Sequence, residues 1–132
     1  MAKPRILVCD DEAVIRKAVR LVLKQDYELV FAADGEETLQ QVQAQSFDLV
    51  LLDIKMPGKN GLEVLQELML APAPARVLML TAYQSVELAQ RATRLGALDY
   101  VTKPFTREGL ANAVDRTLYL QPWQRPQSSQ HV

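Results

Sequence analysis

The sequence predicts an α/β fold in which a five-stranded parallel sheet is covered by helices on both faces. Two observations lead there. Five short apolar runs recur, solid rather than alternating and rich in Val and Leu, as strands buried on both faces require. Longer stretches with helical spacing separate them, so strand and helix alternate five times in βα units.

The first run is RILV, residues 5–8, followed by Val14, Ile15, Ala18, Val19, Val22 and Leu23, which share one helix face. The second is ELVFA, residues 28–32, after which Ala33-Asp34-Gly35 reads as a turn and helix start, with Leu39 and Val42 marking a weaker helix. The third is LVLL, residues 49–52, with Leu62, Leu65, Leu68 and Met69 on the helix after it. The fourth is VLML, residues 77–80, followed by Val86, Ala89 and Ala92. The last is DYV, residues 99–101, followed by Leu110, Val114, Thr117 and Leu118. Pro122 ends this last helix near Leu120, because proline has no N–H and clashes with the preceding turn. Residues 1–120 thus form one domain. Residues 121–132, QPWQRPQSSQHV, lack periodicity and read as a flexible tail or the start of an interdomain linker, with Trp123 and His131 inside it.

The chain of 132 residues is long enough to close one substantial core. With 15 basic and 16 acidic residues its net charge is −1, which advertises neither a nucleic-acid surface nor an anionic-membrane surface. Cys9 is the sole cysteine, so no intramolecular disulfide forms. The start MAKPRILV lacks the features of a secretory signal, and no stretch approaches the roughly 18 apolar residues of a membrane helix. A cytoplasmic domain is expected.

In an open parallel sheet, ligands bind beyond the carboxyl ends of the strands, where the strand order reverses. The polar residues there are Asp10, Asp11 and Glu12 after the first strand, Asp53 after the third, Thr81 then Ala82 after the fourth, and Lys103 then Pro104 after the fifth. Singly, most have ordinary explanations. Asp10 or Asp11 would serve to cap the first helix and Thr81 the fourth, and Lys103 would suit a surface turn. Asp53 resists such an explanation, because a turn after a buried strand rarely requires a carboxylate. Together Asp10, Asp11, Asp53, Thr81 and Lys103 place three carboxylates, a hydroxyl and an ammonium at one sheet edge. Three close carboxylates repel one another unless a cation is present. A hard divalent ion such as Mg²⁺, with Mn²⁺ as a substitute, suits oxygen ligands. A lysine and a hydroxyl facing it suit a phosphoryl group. The set reads as Mg²⁺-assisted phosphoryl chemistry with Asp53 as nucleophile.

These residues, in this order, resemble the CheY-like receiver domain of two-component response regulators. The likeness covers about residues 4 to 120 and rests on VCDDE, LVLLDIKMPGKNGLEVL, LMLTAY and LGALDYVTKPF. It implies a flavodoxin-like, doubly wound sheet of order 2-1-3-4-5 with five helices. It implies further that Asp53 accepts phosphate from a phosphohistidine of a sensor histidine kinase or a histidine phosphotransfer protein. Asp11, Asp53 and the backbone carbonyl of Lys55 would ligate Mg²⁺, with Asp10 acting largely through water. Lys103 would pair with the phosphoryl oxygens, Thr81 would swing in to meet them, and Ala82 would leave room beside them. Tyr100 matches the aromatic position that moves with Thr81, and Lys103–Pro104 is a candidate cis peptide. Phosphorylation adds about −1.5 to −2 charges and three acceptor oxygens, so the face of the fourth helix, fifth strand and fifth helix would carry output to an effector or to a phosphorylation-dependent homodimer. Lys55 and Tyr83 match positions flanking the path of the hydrolytic water, and their bulk predicts a long-lived phosphoryl-aspartate. The same pair is similar to stand-alone phosphorelay intermediates of sporulation and to receivers of sigma-54 regulators, and does not separate the two. Pro57 and Gly58 suit a type II turn leaving the Lys55 carbonyl free, with Asn60-Gly61 leading into the third helix.

Three other readings are weaker. An aspartyl phosphatase of the haloacid-dehalogenase type needs an acid two residues after the nucleophile, where this chain has Lys55. A flavin carrier wants a Ser/Thr/Gly-rich phosphate loop where Cys9-Asp10-Asp11 stands. A degenerate receiver used only for binding would not need the acids, Thr81 and Lys103 intact.

Overall fold

In the computed structural model, described for residues 2–82 and 86–119, strands and helices alternate throughout the described residues. The strands are β1 (Arg5–Cys9), β2 (Glu28–Ala32), β3 (Leu49–Asp53), β4 (Arg76–Ala82) and β5 (Asp99–Lys103). The helices are α1 (Ala13–Leu23), α2 (Gly35–Ala44), α3 (Gly61–Leu68), α4 (Val86–Leu95) and α5 (Arg107–Tyr119). All four strand pairings are parallel and the order is β2-β1-β3-β4-β5. The chain leaves β1 for β2 on one side and returns to β3 on the other. The order therefore reverses between β1 and β3, and a crevice opens at their carboxyl ends.

The apolar runs of β1 to β4 are solid because each of these strands feeds two cores, whereas β5 lends only Val101 to one of them. Successive side chains point to opposite faces. Ile6, Val8, Leu49, Leu51, Leu78 and Leu80 meet Val19 and Leu23 of α1 and Leu110, Ala113 and Val114 of α5. Leu7, Cys9, Val50, Leu52, Val77 and Met79 meet Val64, Leu65 and Leu68 of α3 and Ala92 of α4, with Leu39 and Val42 of α2 at the margin. Truncating one of the buried leucines to alanine costs about 2–5 kcal/mol. The sheet is therefore a stiff base for whatever sits on its edge.

Local chemistry sets the helix starts nearest that edge. Asp34 caps α2 by accepting the Glu37 N–H at 2.8 Å. Asn60 caps α3 in a reciprocal pair: it accepts the Glu63 N–H at 3.0 Å, while Glu63 accepts the Asn60 N–H at 2.9 Å. Gly58, at φ 73°, takes the left-handed conformation that the third position of a type II turn demands. Gly61 opens α3 so tightly against β3 that a β-carbon there would lie 2.1 Å from the Asp53 carbonyl oxygen.

Three expectations shift. The ladders run beyond the apolar runs, so Asp53, Thr81 and Lys103 lie within strands rather than after them; Asp53 pairs with Leu80, Thr81 with Thr102 and Ala82 with Lys103. Val14 is 69% exposed, because the helical period turns it about a third of a turn from the Ile15, Val19, Val22 and Leu23 stripe. The first helix starts after Glu12 with no side-chain cap, and α4 starts at Val86, so neither Asp10, Asp11 nor Thr81 is spent on a helix end. The tail, residues 121–132, lies outside the described residues, as does Tyr83.

Candidate functional site

The switch point carries the acids. Asp10 follows β1 directly and is fully buried, Asp53 ends β3 with 3% exposure, and Asp11 faces solvent. Carboxylate oxygens of Asp10, Asp11 and Asp53 all lie within 4.8 Å of one another. From the far side, Lys103 at the end of β5 reaches in. Its Nζ stands 2.9 Å from Asp10 Oδ2, 3.5 Å from Asp53 Oδ1 and 3.4 Å from Glu12 Oε1. Asp10 has no freedom left, since its Oδ1 also accepts the Glu12 N–H at 2.9 Å. Asp53 Oδ1 accepts the Lys55 N–H at 3.4 Å, a long contact that leaves the carboxylate loosely held.

Electrostatics single out Asp53. Burial, then the charge of Asp10, pushes its carboxyl up from 3.8 to about 6; Lys103 and the Lys55 N–H oppose this, and Asp11 adds to it. Burial works to lower the Lys103 ammonium, but its hydrogen bond to Asp10 and the charges of Asp53 and Asp10 outweigh it and raise it. The lysine is therefore firmly cationic and serves as a built-in counter-ion to three carboxylates, of which it can balance only one. A hard cation with oxygen ligands fits what remains: exposed Asp11, with no hydrogen bond to its carboxylate among the described residues, and weakly held Asp53.

Thr81 is buried at 3% exposure, and among the described residues its hydroxyl makes a single contact, at 3.4 Å to the Ala82 carbonyl. Lys103–Pro104 is cis. Tyr100 stands on β5, the edge strand, 42% exposed. Beside the acids a cleft of about 560 Å³ opens between the β3–α3 loop and α4, lined by Asp11, Lys55, Met56, Asn60, Leu88 and Arg91. The fold thus brings Asp10, Asp11, Asp53, Thr81 and Lys103 to one edge, and leaves Tyr100 on an outer strand. Sequence reasoning missed Arg16, whose guanidinium donates to the Asp10 carbonyl oxygen at 2.7 Å, and the contact of Gly61 with the Asp53 backbone. It also left Glu12 without a role, although that carboxylate shares Lys103. Cys9 is fully buried and its thiol is pushed up to about 12, mainly by burial, so it is inert here.

A five-stranded 2-1-3-4-5 sheet bearing an acid cluster and a lysine at its switch point is the CheY-like receiver fold. The response regulator receiver domain model matches residues 6–115, and the chain belongs to that family. It is 36% identical over 121 residues to sporulation initiation phosphotransferase F of Bacillus subtilis strain 168, covering 91% of this chain and 98% of that protein. It is 38% identical over 118 residues to regulatory protein AtoC of Escherichia coli K12, covering 89% of this chain and 26% of that one. Among solved structures, chemotaxis response regulator CheY4 of Vibrio cholerae superposes with a TM-score of 0.83 at 32% identity, over 89% of this chain and all of that one. NtrX from Brucella abortus gives 0.83 at 34%, over 89% of this chain and 27% of that one. The chain is a receiver domain of two-component, phosphorylation-based signalling, a family whose acidic residues bind Mg²⁺ and whose members work with histidine kinases or phosphotransfer proteins and effectors. Among the described residues no helix is long and apolar enough to cross a membrane.

Proposed function

We propose that Asp53 is the phosphoacceptor, taking the phosphoryl group from a phosphohistidine of a sensor histidine kinase or histidine phosphotransfer protein. An Asp53 oxygen attacks phosphorus and the N–P bond breaks. The imidazole nitrogen keeps the bonding pair and leaves as neutral histidine once protonated. Asp11, Asp53 and the Lys55 carbonyl would hold Mg²⁺, with Asp10 acting through water; the ion supplies charge neutralisation for the transferring phosphoryl oxygens. Lys103 exchanges part of its carboxylate contacts for a phosphoryl oxygen. The Thr81 hydroxyl, held among the described residues by one 3.4 Å contact, gains a strong acceptor. Ala82 leaves space beside that group.

The observation that carries this reading is the buried Asp53 carboxylate, lying with Asp10 and Asp11 within 4.8 Å and facing the Lys103 ammonium at 3.5 Å. Thr81 and Lys103 gain phosphoryl partners only in the phosphorylated state, which biases their loops toward a new arrangement, so the α4, β5 and α5 face with Tyr100 carries the output to an effector or a second copy. Lys55 and Tyr83 screen the acyl phosphate from water and lengthen its life. Incubation with Mg²⁺ and acetyl phosphate, followed by intact mass measurement, should give one base-labile phosphoryl adduct on wild type and none on Asp53→Asn. No adduct on wild type, or an unchanged adduct on the variant, rules the assignment out. A phosphorelay intermediate would also pass its phosphoryl group on to a histidine phosphotransfer domain, whereas a receiver serving only its own regulator would not.

A further inference from the structure

We propose that Arg16 is a positioning residue for the cation site: by pinning the Asp10 carbonyl it sets the direction in which Asp11 leaves β1. The inference rests on Asp10, Asp11 and Asp53 forming that site.

The β1–β2 ladder ends at Asp10, whose N–H donates to the Ala32 carbonyl at 3.1 Å. In a parallel ladder the next donor, to the Asp10 carbonyl, would be the Asp34 N–H. The chain has already turned there so that Asp34 can cap α2, and the preceding N–H, of Ala33, donates to Glu37 Oε1 at 2.7 Å. Among the described residues no backbone donor reaches the Asp10 carbonyl. Arg16 takes the vacant place at 2.7 Å, from the second turn of α1.

The choice of arginine is informative. Its guanidinium lies within 4.0 Å of no carboxylate among the described residues, although three acids stand nearby, so its charge is spent on a carbonyl dipole. Asp10 is consequently fixed at four points: N–H to Ala32, carbonyl from Arg16, Oδ1 from Glu12 and Oδ2 from Lys103. Asp11 has no such restraint on its carboxylate. Its aim toward Asp53 is inherited from the peptide plane between residues 10 and 11, and Arg16 holds the oxygen of that plane. Partners one bond removed from a metal ligand commonly change affinity by 10–100-fold.

The test is titration calorimetry of Mg²⁺ into the full chain, with urea unfolding measured alongside. Arg16→Met, which keeps the aliphatic stem and loses the donor, should weaken Mg²⁺ binding about tenfold. Arg16→Lys should recover part of the loss. In acetyl phosphate reactions, half-saturating Mg²⁺ should rise by the same factor while the rate at saturating Mg²⁺ stays within about twofold of wild type, as expected for an outer partner that positions rather than reacts. A folded Arg16→Met with unchanged Mg²⁺ affinity overturns the proposal, as does a lowered urea midpoint as the sole effect. Should Arg16→Met fail to fold, Arg16→Gln enters the same titration, and wild-type Mg²⁺ affinity there overturns it equally. A wild type that binds no Mg²⁺ removes the cation site itself, and this inference with it.

Discussion

Replacing Asp53 with asparagine should stabilise the metal-free protein at neutral pH, although it removes the proposed acceptor. The carboxyl is 3% exposed, and its pKa moves from 3.8 to about 6, by burial and then by the charge of Asp10. Because the folded value is raised, the folded state holds its proton more tightly than the unfolded chain. The contribution of this carboxyl to stability is therefore greatest below pH 4, where both forms are protonated, and is lost as pH rises through about 6. At pH 7.5 the group is ionised in both states and the cost is about 3 kcal/mol, at 1.36 kcal/mol per pKa unit. Asparagine has nearly the same shape and no charge, and Lys103 keeps its 2.9 Å partner in Asp10. The buried amide without an acceptor costs about 1–2 kcal/mol, so the net gain should be about 1–2 kcal/mol. Urea unfolding followed by circular dichroism in EDTA, at pH 7.5, 6.0 and 4.5, measures it. The advantage should shrink toward the acid end. Added Mg²⁺ should close the gap at pH 7.5 by stabilising wild type more than the variant. A variant no more stable at pH 7.5, or an advantage indifferent to pH, refutes the reasoning.

Other changes probe the edge from the scaffold side. Gly61→Ala should unfold at distinctly lower urea, by about 3 kcal/mol or more, because the new methyl meets backbone at 2.1 Å and neither Asp53 nor α3 can yield without breaking packing; a midpoint near wild type contradicts this close approach. Asn60→Ala should cost about 1 kcal/mol from loss of the α3 cap, read by the same unfolding curves, and little if the reciprocal pair with Glu63 is not made in solution. Lys55→Asn should shorten the phosphoryl half-life several-fold, followed by mass loss of the adduct after removal of acetyl phosphate; an unchanged half-life removes Lys55 from any screening role.

The elements β1 to β4 were readable because each of these strands feeds two cores and so shows an apolar run; β5, with Val101 alone packed against a core, was marked mainly by its place in the alternation. Their ends were not. The sequence loses its apolar character at Asp53, Thr81 and Lys103, yet backbone pairing is indifferent to side-chain polarity and continues through them. The acid cluster was legible from strand-end positions alone, but which neighbour is buried was not: Asp10 and Asp11 look alike in sequence, and only the ladder decides that Asp10 turns inward. Arg16 left no signal at all, since its acceptor is a backbone carbonyl that any residue would supply. Gly61 was visible as a helix opener, while its contact with the Asp53 carbonyl depends on how α3 settles against the sheet.

The extra length of β4 and β5 has a mechanical consequence. Thr81 pairs with Thr102, Ala82 pairs with Lys103, and two rungs earlier Met79 pairs with Tyr100. The hydroxyl, the ammonium and the half-exposed ring thus hang on two adjacent lengths of backbone. The outer of these, β5, is braced by a strand on one side alone. On the proposed reading, a tug on Thr81 or Lys103 would travel along this margin of the sheet to the half-exposed Tyr100. Asp53 thus stands on a strand paired on both sides, while the strand that the proposed output route follows is paired on one side alone.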